Sequence, residues 1–264
     1  MTGCGAGPVV LAATQTGGSH EASGVPCQDA YAWAEAGCGV LVIAVSDGVG
    51  TAPRSDEGAA VAVEAAVNGA LAACADESVS HDLEGLVRLS ACAARAAVEA
   101  HADDSGVALS DLASTLVFVA VRDGAVCVGQ VGDGAVVAEI GEDLALVSGP
   151  DHGEYVNEVV PLTASTWLEG LRVSSCVGSA SAVAVFTDGC ERAALRREPG
   201  PSGELVPHRG FFLPLFAYGR SVMREAAEES ELSRMLASAK MAESSDDDKT
   251  LVLAILDRRA GAAG

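Results

Sequence analysis

The sequence predicts a single α+β domain, and three observations predict it. Short apolar runs closed by Asp-Gly turns recur along the chain, with the length and punctuation of buried β-strands. Two long Ala-rich segments between the early runs and the later ones have helical character. No low-complexity linker divides the 264 residues, a length that one large domain accommodates.

The elements follow in order. Residues 9–14 read as a strand, 17–26 as a Gly- and Ser-rich loop, and 30–34 as a second strand. Residues 40–45 are an uninterrupted apolar run between Gly39 and the Ser46-Asp47-Gly48 turn, which suits a buried strand. Residues 55–75 and 82–102 read as two paired helices, the first with Asp56 and Glu57 where the helix dipole favours negative charge. Three apolar runs between 115 and 140, punctuated by Asp123-Gly124 and Asp133-Gly134, read as a β-meander of hairpins. Residues 183–186 form another buried strand that runs into Thr187-Asp188-Gly189. The chain is then expected to be irregular from Pro199 through Pro214 and Gly219, helical over 225–240 and extended over 251–256, with a frayed tail from Arg258.

Composition narrows the function. Hydrophobic residues make up 49% and aromatics only 4%, so the core must be built from Val, Ala and Leu. No apolar run approaches the roughly 18–20 residues of a membrane-spanning helix, and residues 1–15 lack the basic start of a signal peptide. A cytoplasmic location without membrane attachment is therefore expected. The eight cysteines contain no C-x-x-C pair, which argues for small apolar side chains in a reducing compartment. The net charge of −21 excludes nucleic acid as a partner, because such binding rests on Lys and Arg neutralising phosphates. It also repels any phosphorylated substrate, so a protein of this charge that handles phosphate needs a local positive element.

The acidic residues suggest what that element is. Asp47 and Asp188 each end an apolar strand and each precede a glycine. Asp246-Asp247-Asp248 lies just before the last strand, and a strand antiparallel to its neighbours begins where they finish. Asp247 would then meet Asp47 and Asp188 at one rim. Converging carboxylates repel one another unless a cation lies between them, and oxygen-only ligands select hard ions such as Mg²⁺ or Mn²⁺.

The ordered set Gln28-Asp29-Ala30, Asp47-Gly48-Val49-Gly50, Gly132-Asp133-Gly134, Thr187-Asp188-Gly189 and Asp247-Asp248-Lys249-Thr250 resembles the signature of the PP2C-type protein phosphatases, over roughly residues 9–257. Ser19-His20, the 24–29 stretch, the segment from Gly153 to Glu158 and the 211–216 stretch resemble its bacterial branch. Some members of that branch are encoded beside kinases. The resemblance implies a four-layer αββα sandwich of two mostly antiparallel sheets flanked by helices, with metals at one rim. It implies Asp47 as a ligand shared by two Mn²⁺ or Mg²⁺ ions, the Gly48 carbonyl as a ligand of one, and Asp188 and Asp247 as ligands of the other. Asp133 matches the ligand of a third ion, Asp29 a carboxylate acting near the site, and Asp248 a position that orients a ligand. The implied reaction is in-line attack of a metal-bridging water on phosphoserine or phosphothreonine in a protein, with a cognate Ser/Thr kinase as the opposing partner.

The sequence departs from this pattern in lacking the Arg that many relatives place before the Gln-Asp pair. His20 and Arg54 are the candidate replacements for gripping phosphate. A hydrolase of small phosphate esters, and a pseudophosphatase that binds a partner without turnover, remain as alternatives. Cys190, next to Asp188-Gly189, lacks the basic partners that would make its thiol a nucleophile.

Overall fold

Alternation along the strands decides the layers. In Leu41–Ser46 (β3), Leu41, Ile43 and Val45 face one cluster of buried residues while Val42 and Ala44 face another. A strand apolar on both faces must be covered on both, and that is what the computed structural model shows. It describes residues 7–37, 39–76, 82–150, 160–199, 203–222 and 229–256.

One five-stranded antiparallel sheet has the order β2 (Ala30–Glu35), β3, β4 (Leu116–Arg122), β5 (Ala125–Val131) and β8 (Arg172–Ser175). The other has the order β1 (Val9–Gln15), β12 (Lys249–Ile255), β9 (Ala180–Phe186), β6 (Ala135–Ile140) and β7 (Asp143–Ser148). Between them lies a Val-rich layer that includes Ile43, Val119, Val128, Val136, Val185 and Val252. Helices α2 (Ser55–Cys74) and α3 (Leu83–Ser105) cover the outer face of the first sheet. Their contact is tight because it is built from small residues: a Cβ on Gly69 would come within 2.7 Å of Ala93 Cβ. The outer face of the second sheet is covered by α5 (Arg209–Ser221), α6 (Glu229–Leu236) and α7 (Ala239–Ala242). This is the expected αββα sandwich.

Several local expectations are corrected. The 17–26 segment is not wholly loop: it carries α1 (Gly18–Ser23), closed by Gly24 at φ 71°. Asp123-Gly124 does close the β4–β5 hairpin, but Asp133-Gly134 does not close a second one. It passes the chain from one sheet to the other, since β5 pairs with β4 and β8, and β6 pairs with β7 and β9. The stretch around Pro214 is helical, because burying Phe212, Phe216 and Gly219 along one face outweighs the backbone hydrogen bond that proline removes. Of the helix expected over 225–240, residues 225–228 lie outside the described residues, and the rest is broken into α6 and α7, where Ser238 caps the second piece. Strands β7, β8, β10 (Leu195–Arg197) and β11 (Leu205–Pro207), and the short helix α4 (Glu191–Ala194), had no clear sequence signal. Helix α2 is long and apolar enough to cross a membrane by length and composition alone. Its Ala62, Val63, Ala66 and Ala70 are buried in the core beneath it. The 153–158 segment and the tail from Arg258 lie outside the described residues.

Candidate active site

The ends of β3 and β9, the starts of β2 and β12, and the β5–β6 connection bring Asp29, Asp47, Asp133, Asp188 and Asp247 to one rim of the sandwich. Asp47 follows the last residue of β3, and its backbone is fixed from both sides. Its N–H donates to Thr115 Oγ1 at 3.0 Å, and its carbonyl accepts from Thr115 N at 2.8 Å. Gly48 cannot be anything larger, since a Cβ there would come within 2.9 Å of both Ser55 and Gln28. Gly189, after Asp188, is fixed in the same way: a Cβ would fall 1.9 Å from the Asp248 carbonyl oxygen. Gly48 thus lies against the Ser55 and Gln28 side chains and Gly189 against the Asp248 backbone, with no room for a Cβ at either, and each glycine leaves the preceding carboxylate at the rim.

Asp29 stands at the start of β2, in the other sheet from Asp188, and Thr187 connects the two. Thr187 Oγ1 donates to Asp29 Oδ2 at 2.7 Å and accepts from Thr250 N at 3.0 Å. Asp133 is carried by a loop with Gly132 and Gly134 at φ 87° and 94°, whose carbonyls are held by Gln130 and Arg172. The first glycine thus takes a backbone shape that other residues rarely adopt, and so does the second.

The carboxylates act on one another. Burial first, and then nearby acids with Asp188 among them, push the Asp29 carboxyl up to about 7 and Asp133 up to about 6. Asp47 is raised well above the carboxylate range, first by burial and then by the charges of Asp29, Asp188 and Asp133. Asp188 is raised by burial and by Asp247, against a hydrogen bond with the Asp47 carboxyl. Two buried oxygens, Asp29 Oδ1 and Asp188 Oδ1, have no hydrogen-bond partner. Orphaned buried oxygens in a cluster of repelling acids fit a divalent cation, which would satisfy the first and relieve the second. Among the described residues no three acids, histidines or cysteines already surround one point at ligand distance, so side-chain rotation is needed to close a coordination shell.

The three acids before β12 separate. Asp246 and Asp247 are exposed, whereas Asp248 is 1% exposed. The Asp248 carboxylate accepts from Gly17 N at 2.7 Å, Gln28 N at 2.6 Å and His20 Nδ1 at 2.9 Å. It therefore laces the N-terminal loop to the last strand, directly beneath Asp247. This places His20 on Asp248, the opposite of a side chain left available for phosphate. Arg54 is likewise engaged, its guanidinium forked onto Glu57, which also meets His101 Nε2 at 3.1 Å.

A cleft of about 490 Å³ opens at this rim, lined by Asp188, Asp247, Asp246, Ser19, Ser245, Glu191 and Arg192. Arg192, on α4, had no sequence signal beyond its closeness to the Thr187-Asp188-Gly189 turn. Burial pushes the Cys190 thiol well above its ordinary value, so it is not the nucleophile. The cysteines are also less buried than expected: of the six described, only Cys127 and Cys190 are buried and Cys92 is exposed.

Two antiparallel sheets between two layers of helices, with acids from both sheets at one rim, define the class of metal-dependent phosphatases built as αββα sandwiches. The chain belongs to the protein phosphatase 2C family, whose pattern matches residues 16–237. It is similar to serine/threonine-protein phosphatase 3 of Escherichia coli (strain K12), at 31% identity over 252 residues, covering 92% of this chain and 96% of that one. Among solved structures, a C. elegans sex determining protein matches 96% of this chain with a TM-score of 0.67 at 15% identity, and this chain spans 65% of that one. The Mycobacterium tuberculosis serine/threonine phosphatase PstP/Ppp matches with a TM-score of 0.58 at 16% identity, over 96% of this chain and 100% of that one. At such identities the solved structures speak for the fold alone.

Proposed function

We propose that this chain, a serine/threonine protein phosphatase by family, hydrolyses phosphoserine or phosphothreonine esters of proteins at the rim formed by Asp29, Asp47, Asp133, Asp188 and Asp247. The observation that carries the reading is the pair of orphaned buried oxygens, Asp29 Oδ1 and Asp188 Oδ1, within mutually repelling acids drawn from two sheets. Asp47 and the Gly48 carbonyl would hold a first cation, Asp188 and Asp247 with Asp47 a second, and Asp133 a third. When bound, Mn²⁺ or Mg²⁺ supplies the local positive charge that a chain of net charge −21 otherwise lacks, and makes water a stronger nucleophile. Asp29 keeps one oxygen on Thr187 and leaves the other without a partner, an arrangement suited to accepting a proton from a water at the rim. Asp248 holds the loop and strand on which Asp29 and Asp247 are carried. The residues of the 9–257 core act as one domain in this reading, in the cytoplasm, where free thiols persist. The opposing partner is a Ser/Thr kinase that supplies the phosphoprotein.

The deciding experiment compares a phosphothreonine peptide with a nucleoside triphosphate, with Mn²⁺, with Mg²⁺ and with chelator. Cation-dependent release of phosphate from the peptide, at a kcat/KM well above that for the nucleotide, is the expected result. Preference for the nucleotide would make the chain a small-ester hydrolase, and no turnover of either would make it a partner-binding relative.

A further inference from the structure

A second cavity, about 480 Å³, lies between α5, α6 and α7 on the outer face of the second sheet. Its floor is apolar, with Phe211, Leu215 and Met235, and its edge carries Arg192, Arg196 and Lys240. In a chain where 37 acids outnumber 16 Lys and Arg, this concentration of bases stands against the overall field. Among the described lining residues the one acid, Glu231, is already paired with Arg234. Arg192, Arg196 and Lys240 are all exposed, and no carboxylate is paired with any of them among the described residues. Arg192 also walls the cleft that contains Asp188 and Asp247, so the two cavities are neighbours sharing one residue.

We propose that this groove is a substrate-docking site that binds an acidic segment of the phosphoprotein next to the dephosphorylated residue, with an apolar side chain of that segment on the Phe211, Leu215 and Met235 floor. The proposal rests on the reading that phosphate is cleaved at the Asp47 rim. Charge complementarity selects the occupant. Three bases around an apolar floor suit an acidic and apolar peptide, and a basic peptide would gain nothing there. A chain extended from the cleft reaches the groove by passing Arg192, whose guanidinium can bridge the two parts of the same substrate. The arrangement also gives an acidic enzyme a means of accepting acidic substrates, because the attraction is local while the repulsion is spread over the surface and screened by salt.

The test pairs the double variant Arg196→Ala/Lys240→Ala with the wild type on three substrates. These are p-nitrophenyl phosphate, which is too small to span both cavities, a phosphothreonine peptide flanked by Asp, Glu and Leu, and the same peptide with Ser in those places. Wild type should prefer the acidic peptide over the Ser peptide by about tenfold or more in kcat/KM. The double variant should lose that preference through KM, while its rate on p-nitrophenyl phosphate stays within about twofold. The dephosphorylated acidic peptide should bind the wild type in a calorimetric titration and fail to bind the double variant. An unchanged preference in the double variant would overturn the proposal, as would a change only in the protein's self-association, which would make the groove a contact between copies. Absence of turnover of every phosphoester by the wild type with Mn²⁺ would instead sink the phosphatase reading, and the peptide titration would still report on the groove.

Discussion

Thr187 Oγ1 donates to Asp29 Oδ2 across 2.7 Å, and this bond joins the end of β9 in one sheet to the start of β2 in the other. The same hydroxyl accepts from Thr250 N at 3.0 Å, so one side chain sets Asp29 relative to the first turn of the strand that follows Asp247 and Asp248. Replacing Thr187 by Val keeps the shape and removes both bonds. Because the Thr250 N–H is then left buried without a partner and Asp29 loses a donor, a loss of about 1–3 kcal/mol is expected by denaturant unfolding. A midpoint within a few tenths of a kcal/mol of wild type would show that water replaces the hydroxyl.

Asp47 is the carboxylate on which three others act. Asp47→Asn should lower kcat at least about 10²-fold, or roughly 2.7 kcal/mol, because the neutral side chain no longer offsets the shared cations. In chelator the sign reverses for stability, since removing a repelling acid relieves its neighbours. The variant should therefore melt at or above the wild-type temperature without Mn²⁺, and gain less than wild type when Mn²⁺ is added. Near-wild-type turnover in a folded Asp47→Asn protein would show that the two-cation assignment is wrong.

Asp29 and Asp133 have folded values of about 7 and about 6, above the ordinary carboxylate value of 3.8. For an acid raised on folding, the native state keeps its proton where the unfolded chain has lost it. Without divalent ions, the stability these two acids contribute should therefore fall as pH rises from about 4 to about 7. Cations compete with those protons, so Mn²⁺ affinity should climb over the same interval. Thermal melts in chelator across pH 4–8 read the first effect, and metal titrations read the second. Stability that rises steadily through this window would contradict the burial of the cluster.

The three consecutive acids should behave as three different residues. Asp246→Ala should change stability by no more than about 0.5 kcal/mol, since its carboxylate is exposed and the hydrogen bonds from Ser19 N and Oγ go to its carbonyl. Asp247→Ala should chiefly weaken the dependence of rate on Mn²⁺. Asp248→Ala should cost about 3–5 kcal/mol, because Gly17 N–H, Gln28 N–H and His20 lose their common acceptor. His20→Ala should follow Asp248 in reducing stability and leave KM nearly unchanged. A large rise in KM for His20→Ala with unaltered stability would restore it as a phosphate ligand.

Much of the site was legible because its parts are local. An apolar run that ends in Asp-Gly states in a few residues that a buried strand delivers a carboxylate to a rim, and Asp47 and Asp188 both obey this. The alternation in β3, apolar on both faces, already required a layer on each side. The order of Asp29, Asp47, Asp133, Asp188 and Asp247 along the chain carried the family resemblance without any distance. What the sequence could not decide is whatever depends on partners far away in the chain. Asp133-Gly134 has the composition of a hairpin turn, and only the pairing of β6 with β9 makes it a crossing between sheets. Pro214 reads as a helix breaker, and only the burial of Phe212 and Phe216 against the second sheet overrules it. His20 and Arg54 offered charges for a phosphate, but carboxylates 228 and 3 residues away took them. Arg192 gave no signal beyond its closeness to the Thr187-Asp188-Gly189 turn, because its place between the cleft and the basic groove arises from the packing of α4 beside α5, which no stretch of neighbouring residues records. Local turn chemistry and strand alternation are short-range and survive in the sequence, while the pairing of charges across the fold is settled only when the layers close.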